Sequence, residues 1–159
     1  MAMVEAVNRT SRVEAPAPEV FARVTSAEGI NDEMRPWMRM TTPRALRGTT
    51  IADVEPGPLG RSWILLFGVL PFDYDDLGLA ELEPGRRFLE RSTMLSMRRW
   101  EHERTVEPAG DEASEVTDRV AFELRAPLRA IRLTRPVAAV LRGFFAHRHR
   151  RLQRRFSGT

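Results

Sequence analysis

Apolar residues recur at spacings of three and four from Thr134 to Phe156, so that Val137, Leu141, Phe144, Phe145, Leu152 and Phe156 share one face of an α-helix. Pro136 suits the first turn, Thr134 is placed to cap the amino end, and Gly158 follows the last apolar position as a stop. Arg148 interrupts the stripe, four residues from both Phe144 and Leu152. A helix this apolar on one side needs a wide cover. The chain before it consists of short alternating segments bounded by Pro, Gly and acidic turns, the pattern of strands.

In order, residues 3–14 read as a strand, followed by a short helix from Glu19 to Val24 opened by Pro18. Ser26 caps a second short helix through Met34, which stops before Pro36. Trp37 and Met38 begin an extended segment, and 50–54 reads as extended within an otherwise irregular stretch. Residues 61–70 (RSWILLFGVL) are apolar on both faces, as in a central buried strand. Further strands follow at 73–82, 87–97, 98–107 and 115–125. The order predicts an α+β fold: a curved antiparallel sheet of about seven strands wrapped around the carboxy-terminal helix, with two short helices after the first strand. Residues 1–159 are expected to form one domain.

Alternation assigns side chains to faces, and some polar residues fall on the apolar side. His102 and Arg104 travel with Trp100 and Val106, opposite Glu101, Glu103 and Glu107. Asp118 travels with Val116, Val120, Phe122 and Leu124, and Glu90 with Phe88, Ser92 and Met94. With Arg148 this makes five ionisable residues directed inward. Buried charge is costly unless paired, so these groups must neutralise one another or meet water or a ligand. Asp118 is therefore predicted to accept hydrogen bonds from His102 or Arg104, and Arg148 to be held by an acid or by backbone carbonyls. The cluster reads either as an internal network fixing helix to sheet or as the polar part of a ligand cavity. A catalytic reading makes His102 and Asp118 a base pair or Glu90 an acid.

Composition narrows the chemistry. The 159 residues are 42% hydrophobic and 30% charged, enough for a core and unlike a disordered chain. Absence of cysteine removes disulfides and thiol chemistry; absence of lysine removes Schiff-base and P-loop chemistry. His102-Glu103 begins like HExxH, but Val106 occupies the second histidine position. His147 and His149 are two apart on a helix and do not chelate together. Asp73, Asp75 and Asp76 lack the EF-hand's Gly and Glu and read as a solvated strand start. Neither a metal nor a cofactor is expected. All 25 basic residues are arginine; 9 lie in 126–159, which has no acid, leaving 16 against 22 acids before it. That asymmetry admits a contact with an acidic surface or a partner. No aromatic residues interleave the exposed arginines, so nucleic acid is not expected and the arginines read as the solvated side of the helix. No signal peptide or spanning segment is visible, which points to the cytoplasm.

The opening RVEAPAPEVFARVTSAEGINDEMRPW, the later ERSTMLSMRRWEHERTVEP and SEVTDRVAFEL, and the terminal GFFAHRHRRL resemble the START-like superfamily, also called Bet v 1-like or polyketide cyclase/lipid-transport, in its small bacterial branch. The resemblance implies a helix-grip fold with a cavity between sheet and helix that holds an apolar or amphipathic small molecule. On that reading Trp63, Phe67, Leu77, Leu79, Phe88, Trp100 and Phe122 line the sheet side. Leu141, Phe144 and Phe145 line the helix side, and Glu90, His102, Arg104, Asp118 and Arg148 are the polar contacts. The fold alone implies no reaction: carriers, cyclases and regulatory modules share it.

Overall fold

The computed structural model describes residues 3–158; Met1, Ala2 and Thr159 of the expected 1–159 domain lie outside the described residues. One antiparallel sheet runs in the order β1-β7-β6-β5-β4-β3-β2. Its strands are β1 (Val4–Val13), β2 (Met38–Met40), β3 (Gly57–Leu66), β4 (Leu70–Glu83), β5 (Arg87–Met94), β6 (Met97–Pro108) and β7 (Ser114–Leu124). Two short helices, α1 (Ala17–Val24) and α2 (Ala27–Met34), follow β1; α3 (Ala126–Ala130) and α4 (Thr134–Phe156) close the chain. This is the α+β helix-grip arrangement, START-like in fold.

Local sequence explains most of these elements. Ser26 Oγ accepts a hydrogen bond from Gly29 N at 3.0 Å and starts α2. Gly29 is obligatory there, because a Cβ would lie 1.9 Å from the Arg23 carbonyl oxygen. In β4, a Cβ at Gly78 would meet the Arg91 carbonyl oxygen at 2.5 Å, so this glycine lets β5 approach beside a register shift between Leu79 and Glu81. Such shifts bend the strand and curl the sheet.

Three expectations change, and one element is added. Residues 61–70 are not a central strand: β3 is next to the edge and ends at Leu66, and Phe67 turns the chain with a left-handed φ of 54°. Its double-sided apolar pattern belongs to a hairpin end that stays exposed. Residues 51–53 form a 3-10 turn, not a strand. Thr134 is the first residue of α4 rather than its cap; Leu133 precedes it and no side chain caps the end. The short helix α3 was not visible, because five residues are too few to establish a period.

The core is in two parts. Val13, Val20, Phe21, Val24, Leu77, Leu79, Phe88, Val106, Val116 and Leu152 form one cluster. Ala6, Val7, Ile64, Met94, Trp100, Val120, Phe122, Ala138 and Phe145 form the other. Between them, three of the long elements change from apolar to polar and back. In β7 Asp118 separates Val116 from Val120, in β6 His102 and Arg104 separate Trp100 from Val106, and in α4 Arg148 and His149 separate Phe145 from Leu152.

Candidate functional site

The interruption is a belt of polar side chains across the inner face of the sheet. Strand register carries it from Asp118 opposite Arg104, to His102 opposite Glu90, and on to Asp75 opposite Ser62. Asp118 is its anchor. Oδ1 accepts from His102 Nε2 at 2.6 Å and Arg104 Nε at 2.8 Å; Oδ2 accepts from Arg104 Nη2 at 2.6 Å and His149 Nε2 at 2.7 Å. With the carboxylate acceptor-only, both histidines donate through Nε2, and His149 Nδ1 accepts from Ser11 Oγ at 2.8 Å. Arg104 is fully buried and its Nη1 donates to Glu33 Oε2 at 2.8 Å; Glu33 Oε1 accepts from Arg148 Nε at 3.2 Å. Burial alone would raise the Asp118 pKa, but Arg104 and His102 outweigh it and hold the carboxyl well below its ordinary range. Burial likewise works against the Arg104 charge, and Asp118 and Glu33 outweigh it.

Asp118, Arg104 and Arg148 thus have the partners that alternation demands: Asp118 binds both His102 and Arg104, and Arg148 is held by an acid. That acid, Glu33, lies on α2 and is 1% exposed. Sequence reasoning missed it because α2 is short and mostly polar, so no periodicity marked Glu33 as inward. His149 was missed as well; weighing it only as a metal ligand with His147 hid its place one residue beyond Arg148 on the buried face.

At the other end of the belt Asp75 and Glu90 lie close together, 1% and 9% exposed. Asp73 and Asp75 are buried rather than solvated, which corrects the reading of this stretch; Asp76 points outward and takes two hydrogen bonds from Arg61. Glu90 accepts from Ser92 Oγ at 2.7 Å, whereas Asp75 Oδ1 is buried with no hydrogen-bond partner among the described residues. Burial, and then the neighbouring Glu90 carboxylate, push the Asp75 carboxyl well above its ordinary range. A carboxyl with a raised folded pKa favours folding in its protonated form. Its contribution is complete below the usual carboxylate range and is lost as pH rises through the raised pKa. Asp75→Asn is therefore expected to raise thermal stability at neutral pH by on the order of 1 kcal/mol and to leave it unchanged in acid. Unfolding midpoints measured from acid to neutral pH check this, and equal midpoints at neutral pH would exclude it.

A pocket of about 80 Å³ opens beside this belt. Its walls are apolar, with Val24, Ile30, Leu46, Ile51, Leu77 and Phe88. Thr41, Thr50, Ser62 and Asn31 add neutral polar groups, and Glu90, His102 and Arg148 form the ionisable side. The His102 ring is held edge-on between Phe88 and Phe145, at centroid distances of 5.7 and 5.2 Å. The Arg148 guanidinium lies 4.9 Å from the Phe145 ring. Burial pushes the Arg148 pKa down, with Glu33 opposing. Arg148 donates to protein only through Nε among the described residues, and His102 Nδ1 has no protein partner there. Asp118, by contrast, has no accepting position left.

The structure distributes the remaining expected wall residues unevenly. Leu77, Leu79, Phe88, Trp100, Phe122 and Phe145 are buried on the inner side. Leu141 and Phe144 are only partly buried against the second core cluster. Trp63 and Phe67 are 43% and 57% exposed and face away from the pocket. Alternation in β3 places Ser62 and Ile64 inside, so Trp63 packs edge-on against Tyr74 outside at 5.6 Å. No group of three or more potential metal ligands is present among the described residues, and no helix of those residues is long and apolar enough to cross a membrane.

Residues 11–156 match the family described as Domain of unknown function (DUF8410). The chain belongs to this family. No curated protein matches it in sequence. Among solved structures it is similar to a START superfamily protein from Mycobacterium smegmatis, at 11% identity and TM-score 0.58 over 95% of this chain and 96% of that one. It is also similar to a protein from Thermus thermophilus, at 16% identity and TM-score 0.69 over 96% and 99%. A third similarity is to the Zhui aromatase/cyclase from Streptomyces sp. R1128, at 20% identity and TM-score 0.54 over 79% and 70%. These likenesses show that the fold of this DUF8410 member is START-like.

Proposed function

We propose that this DUF8410 member binds a small, mainly apolar molecule carrying one oxygen-bearing group, in the pocket between α2, the 41–51 segment and the sheet. One observation carries the reading: Glu90, His102 and Arg148, from two strands and a helix, converge on an apolar pocket, and His102 and Arg148 have polar atoms that no protein group takes among the described residues. Arg148 Nη groups and His102 Nδ1 complement a carbonyl or carboxylate on one side and a hydroxyl on the other. At about 80 Å³ the space is well below the roughly 300–1,000 Å³ of drug-sized sites. The pocket accordingly suits a compact ligand or the polar end of a longer one that enters past Leu46 and Ile51.

The test is saturable binding of 1-anilinonaphthalene-8-sulfonate, whose sulfonate and fused rings match the pocket's chemistry, to the native protein. Leu77→Trp, which fills the pocket, is expected to abolish binding while the far-UV circular dichroism stays native. Undiminished binding by a folded Leu77→Trp protein would place the ligand elsewhere.

A proton-transferring enzyme of the cyclase or dehydratase type is the second reading. The observation favouring it is the buried Asp75–Glu90 pair beside the pocket, where burial and then the neighbouring carboxylate push the Asp75 carboxyl well above its ordinary range. It distinguishes itself from binding alone if Glu90→Gln keeps ligand affinity and removes turnover.

A further inference from the structure

At one end of the sheet, β3, β5 and β7 finish and β4 and β6 begin, and apolar side chains there project into solvent. On the β3–β4 turn Phe67, Val69, Leu70 and Phe72 are 57%, 72%, 57% and 50% exposed. Leu95 on the β5–β6 turn and Ile131 between α3 and α4 are 53% and 65% exposed. The turns are tied together beneath this tip. Arg125 Nε donates to the carbonyls of Met94 and Leu95, Arg125 N donates to Ser96 O, and Ser96 hydrogen-bonds the buried Asp73. Phe67 and Arg132 are the two non-glycine residues with left-handed φ among the described residues, 54° and 61°, and both lie at this end. Holding an aromatic side chain in that region costs free energy, and here its ring is not buried in exchange.

The exposed charge on the turns around the tip is positive, and the acids there, Asp73 and Glu123, are buried. Arg98, Arg132 and Arg135 are exposed and have no carboxylate within ion-pair distance among the described residues, while Arg99 and Arg129 share the single buried Glu123. From Leu124 to Gly158 the chain has no acidic residue.

We propose that this end of the molecule docks onto membranes containing anionic lipid, with the β3–β4 turn entering the headgroup boundary and the arginines meeting lipid phosphates. Separate apolar side chains on convex turns suit a yielding bilayer better than a rigid protein surface, and the unpaired arginines select a negative one. The site is distinct from the pocket and does not depend on what the pocket holds.

The experiment is co-sedimentation of the full chain with vesicles of phosphatidylcholine alone and of phosphatidylcholine mixed with phosphatidylglycerol. Binding is expected only to the mixed vesicles and is expected to weaken as salt is raised. Two double variants separate the contributions: Phe67→Gly with Leu70→Ser, and Arg132→Gln with Arg135→Gln. All four positions are exposed, and glycine accepts the φ of residue 67 without strain, so unfolding midpoints should match wild type. Each pair is expected to lower vesicle binding by about tenfold. The proposal is overturned if wild type ignores both vesicle types or binds them equally. It is equally overturned if either folded variant binds like wild type, or if the tip is instead buried in a dimer that Leu70→Ser dissociates.

Discussion

Asp118→Asn is expected to lower stability by about 3–5 kcal/mol, the usual result of breaking a buried ion pair from one side. The reason lies in what remains. Arg104 is 0% exposed and would keep its charge with only Glu33 to oppose it, and the amide nitrogen would face donors from His102, Arg104 or His149. In a chain of this length that loss shifts the unfolding midpoint by roughly 10 °C. The pH dependence gives an independent check. Asp118 has a depressed folded pKa, so its contribution is present above the ordinary carboxylate range and is lost as pH falls through the folded value. The gap between wild type and variant should therefore be widest near neutrality and close in strong acid. A gap that stays constant into strong acid, or a neutral-pH loss no greater than that of an exposed Arg→Ala change, would mean that Asp118 does not anchor the belt.

Phe145→Ala is the second large effect, about 3–5 kcal/mol. Its ring is 1% exposed, packs edge-on against His102 and Phe144, and carries the Arg148 guanidinium on its face. Removing it opens a void at the point where α4 meets both the second core cluster and the polar belt. Leu141→Ala, from the same stripe, should cost only about 1 kcal/mol, because Leu141 is already partly exposed. Chemical denaturation of the two variants side by side measures the difference. Equal losses would show that the buried face of α4 is centred elsewhere.

The contrast between these two helix positions illustrates how periodicity is limited. The three- and four-residue spacing correctly placed Leu141 and Phe145 on one side of α4, but depth along that side depends on where the curved sheet ends. The belt shows the same division. Alternation in β5, β6 and β7 put Glu90, His102, Arg104 and Asp118 on the inner face, since a side chain's face follows from its position in the strand. The need to pair buried charges then named two of the three Asp118 partners, His102 and Arg104, without any knowledge of the fold's contacts.

Glu33 and Asp75 were beyond that reach for physical reasons. Glu33 sits in an eight-residue helix with too few apolar positions to define an inner side, and its burial comes from α2 docking on α4. Asp75 belongs to an acidic run that alone would be solvated, yet alternation with Leu77 and Leu79 carries it inside once β4 is covered. In β3 and the following turn the ambiguity was real: a run apolar on both faces suits either a central strand or an exposed hairpin tip, and pairing order alone distinguishes them. Local period and chain geometry were enough to place the long strands, helices α1, α2 and α4 and the inward charges, and the START-like order came from resemblance to that superfamily. The tertiary structure decided which acids and bases meet, how much space they leave and which apolar turns stay in water, because those depend on contacts between residues far apart in the chain.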